Sequence, residues 1–175
     1  MNSDILRQYF FISEFEKELK DGVLVYPTFT ATFEEITKKR TIILTLPGAF
    51  TPICTFNQVP EFENAAQEIK NLGIEEIYIL TSNDFFTQRV WADAMRIKKL
   101  KFISDIDLIF AKNFNNLIYR NVLGLRSRRE LFIFNDNKIE YRFSEEYDTN
   151  EDPYENTKLE NLFKYLTTIK LKKHE

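Results

Sequence analysis

Apolar positions along the chain fall into blocks of two kinds, short continuous runs and stretches with helical spacing. The run TIILTL, residues 41–46, is ended by Pro47 and Gly48. A strand with one wet face would alternate, so this run predicts a central strand covered on both faces. Phe62, Ala65, Ala66, Ile69 and Leu72 then recur at helical spacing, and Gly73 suits the position just past a helix end. Residues 76–81, EIYILT, predict a second apolar strand. Asn83 is placed to cap a further helix, with Phe86, Val90, Trp91 and Ala94 on its inner face. Residues 101–104 read as a brief strand and 108–114 as a short helix. Residues 130–134 and 138–143 flank Asn135, Asp136 and Asn137, the pattern of a β-hairpin with a polar turn. Residues 157–171 predict a closing amphipathic helix with Leu159, Leu162, Phe163 and Leu166 inward.

The first residues are harder to place. Ile5, Leu6, Tyr9 and Phe10 recur at helical spacing, so 1–20 are expected to form a helical extension docked on a domain of 21–175. Gly22 is expected in a turn, and 23–33 as irregular extended chain interrupted by Pro27. Thr32 and Glu35 have capping-box spacing for a short helix over 32–39. Strands alternating with helices, then a hairpin and a helix, imply an α/β fold: a mixed sheet with helices on both faces, in an order that suits a thioredoxin-like core.

Composition narrows the function. A chain of 175 residues can bury one real core, and 43% hydrophobic residues with 17 Phe and 8 Tyr lie far from disorder. A net charge of −3 with acids and bases interspersed argues against a broad nucleic-acid footprint, and Lys112, Tyr119 and Arg120 form no convincing platform. No stretch approaches the roughly 20 apolar residues of a membrane helix, and the N-terminus lacks a signal-peptide pattern. One Cys and one His cannot make an internal disulfide or an ordinary structural zinc site. That cysteine count fits a reducing compartment, and a cytoplasmic location is expected. His174 is read as solvated, Trp91 as core, and Glu145, Glu146 and residues 148–152 as an acidic loop. No metal or cofactor is expected.

The chemistry concentrates in PGAFTPIC, residues 47–54. Thr51 is a good N-cap, Pro52 fits the first helical position, and Cys54 then lies in the first turn. A sulfur there meets free backbone N–H groups and the positive end of the helix dipole, both of which favour thiolate over thiol. Pro47, Phe50 and Pro52 would wall a small, partly dry pocket. A lone cysteine is also often a small buried hydrophobe, so these arguments alone leave the reaction open.

The residues Pro47, Thr51 and Cys54 match the Pro-x-x-x-Thr-x-x-Cys signature of peroxiredoxins. The longer PGAFTPICT, with Pro60 and Phe62, resembles the type-5 branch, some bacterial members of which are fused to glutaredoxin. The likeness continues through Ser82-Asn83-Asp84, Phe86, Trp91, Phe102, Asp105, GLRSRR at 124–129 and Asp152-Pro153-Tyr154. The resemblance implies a thiol peroxidase in which Cys54 attacks hydrogen peroxide or a small organic hydroperoxide and becomes a sulfenic acid. It implies that Thr51 aligns peroxide and sulfur, that Pro47 shields the sulfur, and that Arg129 supports thiolate and developing oxygen charge. Arg128 and Arg129 point to opposite faces of an extended chain, so only one can face Cys54; Arg126 is the reserve. Gln58 lies one helical turn past Cys54, where the branch often carries a polar residue. With no second cysteine, the sulfenic acid needs an external thiol, glutathione with glutaredoxin or else thioredoxin. A homodimer is expected, with Phe50 and Phe86 as interface apolars by analogy. Residues 120–125 depart from the glycine-rich loop of the family. Two alternatives remain: a peroxide-sensing thiol switch, and a non-catalytic thioredoxin-fold binding protein.

Overall fold

The structure, a computed structural model, describes residues 3–13, 18–20, 23–25, 28–147 and 152–172. In chain order the first elements are α1 (Ser3–Leu6), β1 (Tyr9–Ser13), β2 (Glu18–Lys20), β3 (Val23–Val25), β4 (Thr28–Thr32), α2 (Phe33–Lys38) and β5 (Thr41–Thr45). A π-helical turn, Cys54–Gln58, leads into α3 (Val59–Asn71), followed by β6 (Glu76–Thr81), α4 (Phe85–Ala94), β7 (Lys101–Ser104) and α5 (Ile109–Asn113). The hairpin β8 (Leu117–Arg120) and β9 (Gly124–Ser127) precedes the hairpin β10 (Glu130–Asn135) and β11 (Lys138–Ser144), and α6 (Leu159–Lys172) follows.

Seven of the strands form one mixed sheet in the order β11-β10-β5-β6-β7-β1-β4. Its middle trio, β5, β6 and β7, is parallel, and the strands on either side run antiparallel to it. Every residue of β5 is buried, as its unbroken apolar run requires. Ile42 and Leu44 pack on one face with Phe62, Ile69, Trp91, Leu131 and Leu162, beneath α3, α4 and α6. Ile43 packs on the other face with Phe10, Phe33, Phe110, Phe132 and Phe134. Phe33 meets Phe110 and Phe134 edge-on, with ring centroids 5.8 and 5.3 Å apart, so much of the phenylalanine content goes into this second face. Truncating Phe33 to alanine would cost about 3–5 kcal/mol by the usual range for a buried ring.

Several expectations hold locally. Thr32 and Glu35 form a complete capping box at α2. The turn between β10 and β11 puts Asp136 and Asn137 at φ 48 and 63, the left-handed pair that a two-residue hairpin needs. Gly73, at φ 91, ends α3.

Others do not hold. Residues 1–20 are not a helical extension outside the domain. Among the described residues of this stretch only Ser3–Leu6 are helical, and Tyr9–Ser13 form a sheet strand paired with both β4 and β7. Phe10 and Ile12 are buried while Tyr9 and Phe11 are exposed, a period of two. A domain boundary at 20/21 therefore cuts through the sheet. Residues 28–32, within the stretch read as irregular, form the edge strand β4. In α4 the buried residues are Gln88, Trp91 and Ala92, whereas Phe86 and Val90 are each 65% exposed. The cap of α4 is Asp84, which accepts from Thr87 N at 3.0 Å; Asn83 is used elsewhere. Gly22, Pro27, residues 148–151 and His174 lie outside the described residues.

Candidate active site

Sheet topology sets the site. The chain leaves β5 through Leu46 and Pro47, and β10 returns antiparallel beside β5 with Glu130 opposite Thr45. The residue before β10 therefore lies beside the loop after β5. The site forms at the carboxyl end of β5, a strand of the parallel trio, where ligand sites of α/β sheets commonly lie.

The loop is held from two sides. Ala49 N donates to Asn83 Oδ1 at 2.8 Å, so Asn83 braces the loop after β5. Phe50 sits at φ 61, an uncommon conformation for a bulky residue, and is 53% exposed. Thr51 Oγ1 donates to the Gly48 carbonyl at 2.9 Å. The hydroxyl proton is thus committed to the loop, and the oxygen lone pairs are left to accept from a bound molecule.

Pro52 and Ile53 begin the helix, and the expected α-helical turn at Cys54 is instead a π-helical one. Val59 N–H reaches back to Cys54 O, five residues away. Such widened turns occur mostly as single-turn insertions and often at functional sites. Trp91, fully buried, donates from Nε1 to Thr55 Oγ1 at 3.0 Å and ties this turn to α4.

Cys54 is buried, and a cation sits beside it. Arg129, also buried, brings Nη1 to 3.3 Å from Cys54 Sγ. The same Nη1 donates to Gln58 Oε1 at 2.6 Å. Nε donates to Pro153 O at 2.9 Å, and Nη2 pairs with Asp152 Oδ1 at 2.5 Å. The Arg129 guanidinium lies 5.7 Å from the Tyr154 ring centroid. Burial works against its charge, but Cys54 and Asp152 outweigh burial and hold the guanidinium proton above its ordinary range. The guanidinium fork thus joins the sulfur, the π turn and the 152–154 segment in one plane of contacts.

A further layer supports this one. Gln58, fully buried, donates from Nε2 to Thr157 Oγ1 and O at 3.0 and 3.3 Å. Thr157 Oγ1 donates to Glu145 Oε1 at 2.7 Å. The Glu145 carboxylate also accepts from the amides of Glu155, Asn156 and Thr157. Burial opposes its ionisation, but the Thr157, Asn156 and Glu155 hydrogen bonds prevail and hold it below the usual carboxylate range.

Of the residues singled out from sequence, Cys54, Gln58 and Arg129 are joined by hydrogen bonds here, and Pro47 and Thr51 lie on the loop that leads into the Cys54 turn. Arg128 points elsewhere, its guanidinium 4.8 Å from the Tyr147 ring centroid, as strand parity requires. Arg126, the reserve arginine, donates to Ser82 Oγ at 3.1 Å and is not the arginine at the sulfur. Asp152, read as part of an acidic loop, is a direct partner of Arg129. Glu145, Thr157 and Trp91 join the support unannounced by any local pattern, because their partners lie far along the chain.

A cysteine at a helix start after the first parallel strand, opposed by a buried arginine, defines a thioredoxin-like thiol site. The Redoxin family model matches residues 14–161. A peroxiredoxin of Rhizobium etli is 38% identical over 133 residues, covering 73% of this chain and 74% of that protein. The hybrid peroxiredoxin hyPrx5 of Haemophilus influenzae is 28% identical over 137 residues, 77% of this chain and 56% of the hybrid. The crystal structure of Plasmodium falciparum antioxidant protein, a 1-Cys peroxiredoxin, matches with a TM-score of 0.75 at 29% identity, covering 81% of this chain and 86% of that one. The chain belongs to the peroxiredoxin family, as a type-5-like member with a single cysteine. Peroxidase function comes with that membership.

Proposed function

We propose that Cys54 reduces hydrogen peroxide and small organic hydroperoxides as a thiolate. The observation that carries this reading is the buried Arg129 guanidinium 3.3 Å from Cys54 Sγ. Sulfur attacks one peroxide oxygen and the O–O bond breaks. Cys54 becomes a sulfenic acid, and the departing oxygen takes up a proton as water or alcohol. Arg129 supports the negative charge as it passes from sulfur to the leaving oxygen. Thr51 Oγ1, with its proton committed to Gly48 O, accepts a hydrogen bond from the peroxide O–H and sets the line of attack. Pro47, buried beside the loop, keeps bulk water off the sulfur.

Return to the thiol needs two external thiols. The first condenses with the sulfenic acid to a mixed disulfide and water; the second displaces Cys54 and leaves with the first as a disulfide. Glutathione with glutaredoxin is the first choice of reductant, since the hybrid relative belongs to the same branch, and thioredoxin is the alternative. The exposed Phe50 and Phe86 support a homodimer built around the active-site loops. A cytoplasmic setting follows from the need for such thiols.

Side-by-side turnover with purified glutaredoxin and thioredoxin systems tests the proposal. Sustained peroxide consumption with one of them is expected. Fast, stoichiometric oxidation without turnover under either would assign a peroxide-sensing switch instead.

A further inference from the structure

Arg126 is left without a task by the site described above, and its surroundings suggest one. In the β8–β9 hairpin, Ile118 lies opposite Arg126 and Arg120 opposite Gly124. Arg120 and Arg126 are therefore diagonal neighbours on one hairpin face, roughly 7–8 Å apart at their backbones. From that face Arg126 reaches Ser82 Oγ at 3.1 Å, next to the Asn83 that braces the Ala49 amide. Arg120 reaches Asp152 Oδ1 at 3.8 Å, the oxygen already paired with Arg129. One end of the hairpin face thus meets the loop before Cys54, and the other meets the arginine beside Cys54.

The charges along this face do not balance. Among the described residues Arg126 has no ion-pair partner, and Arg120 and Arg129 share the single carboxylate of Asp152. Among the described ion-pair partners, even with Cys54 ionised, one positive charge remains over. Arg126 Nε and Arg120 Nη1 are buried and make no hydrogen bond. Buried donors and like charges held together are costly unless an anion satisfies them.

We infer that Arg126 and Arg120 form a carboxylate subsite beside the Ser82 and Asp152 segments that flank the Cys54 site, resting on the reading of Cys54 as the nucleophile. The carboxylate belongs to a reactant, either an organic hydroperoxide or the thiol that reduces the sulfenic acid. A guanidinium presents paired N–H donors that match a carboxylate, and the free Nε and Nη1 are such donors.

The test compares reagents that differ only in charge. Iodoacetate and iodoacetamide both alkylate a thiolate with loss of iodide, and the ratio of their rates cancels any change in thiolate fraction. In the wild type this ratio should exceed that of free cysteine and fall as salt is raised. Arg126→Gln should lower it about fivefold or more, and Arg126→Lys should restore part of it. An unchanged ratio in both Arg126→Gln and Arg120→Gln, or a wild-type ratio no higher than that of free cysteine, overturns the subsite. Should a glutamine variant fail to fold, the wild-type ratio and its salt dependence decide alone. The source of the carboxylate is read from two further pairs. These are 3-mercaptopropionate against 2-mercaptoethanol in reducing the sulfenic acid, and 4-hydroperoxy-4-methylpentanoate against its methyl ester in forming it. The pair whose ratio drops in Arg126→Gln identifies the reactant. Failure of the peroxidase reading is seen separately, as a wild-type rate with hydrogen peroxide no faster than that of free cysteine.

Discussion

Replacing Gln58 by glutamate puts a carboxylate where a neutral amide now accepts from Arg129. Cys54 Sγ and Gln58 Oε1 take hydrogen bonds of 3.3 and 2.6 Å from the same Nη1, so they stand no more than about 6 Å apart. Two like charges at that distance repel by about 3 kcal/mol at an effective dielectric constant near 20. That is about two pH units of proton affinity. The glutamate also loses the amide N–H groups that now reach Thr157. Gln58→Glu should therefore move the midpoint of the pH–rate profile for hydrogen peroxide up by about two units. Below the wild-type midpoint the second-order rate should fall on the order of a hundredfold, and less above it. Gln58→Leu, which removes the acceptor and adds no charge, should leave that midpoint much closer to wild type. Stopped-flow oxidation of Cys54 across pH measures both. A Gln58→Glu profile that overlays the wild type would refute the claim that Arg129 is shared between these two acceptors.

Three further outcomes follow from the same geometry. Arg129→Lys keeps a charge but cannot serve Cys54, Gln58, Asp152 and Pro153 from one planar fork, so peroxide oxidation should slow by about 10²–10³; a wild-type rate would show that the charge alone suffices. Thr51→Val should slow the same step at least about tenfold with thermal stability nearly unchanged, and an unaltered rate removes the hydroxyl from the mechanism. Asp105, 2% exposed and accepting from Phe110 and Ala111 N, is pushed up to about 6 by burial, which those hydrogen bonds only partly offset. The folded state therefore holds its proton more tightly than the unfolded chain. Its contribution is full below pH ~4 and is lost as pH rises through ~6. In urea unfolding, the stability of wild type relative to Asp105→Asn should fall by about 2 kcal/mol from pH 4 to 7, and a constant difference would contradict the assignment.

What could be seen in the sequence depended on the reach of the signals. Cys54 and the arginine beside it were legible because Cys54 follows PGAFTP and the family resemblance points to Arg129, just before the apolar run of β10. The β10–β11 hairpin and the Thr32 capping box were legible because their signals are local. β1 was not, because YFFIS carries four apolar residues before its serine and so hides its period of two. The inner face of α4 was misjudged because Phe85, Phe86, Val90, Trp91, Ala92 and Ala94 surround the helix, and only tertiary packing selects Trp91 and Ala92. Asn83 and Asp84 are both capping residues, and nothing nearby says that Asn83 is needed by Ala49. Thr157, which accepts from Gln58, lies 99 residues on, and no local spacing announces it.

The most direct test of the account is the rate at which wild-type Cys54 loses its thiol to hydrogen peroxide at neutral pH. A buried guanidinium donating to one sulfur predicts a rate at least about a hundredfold above that of free cysteine, abolished by Cys54→Ser. A rate equal to that of free cysteine would mean that Arg129 packs against an inert sulfur.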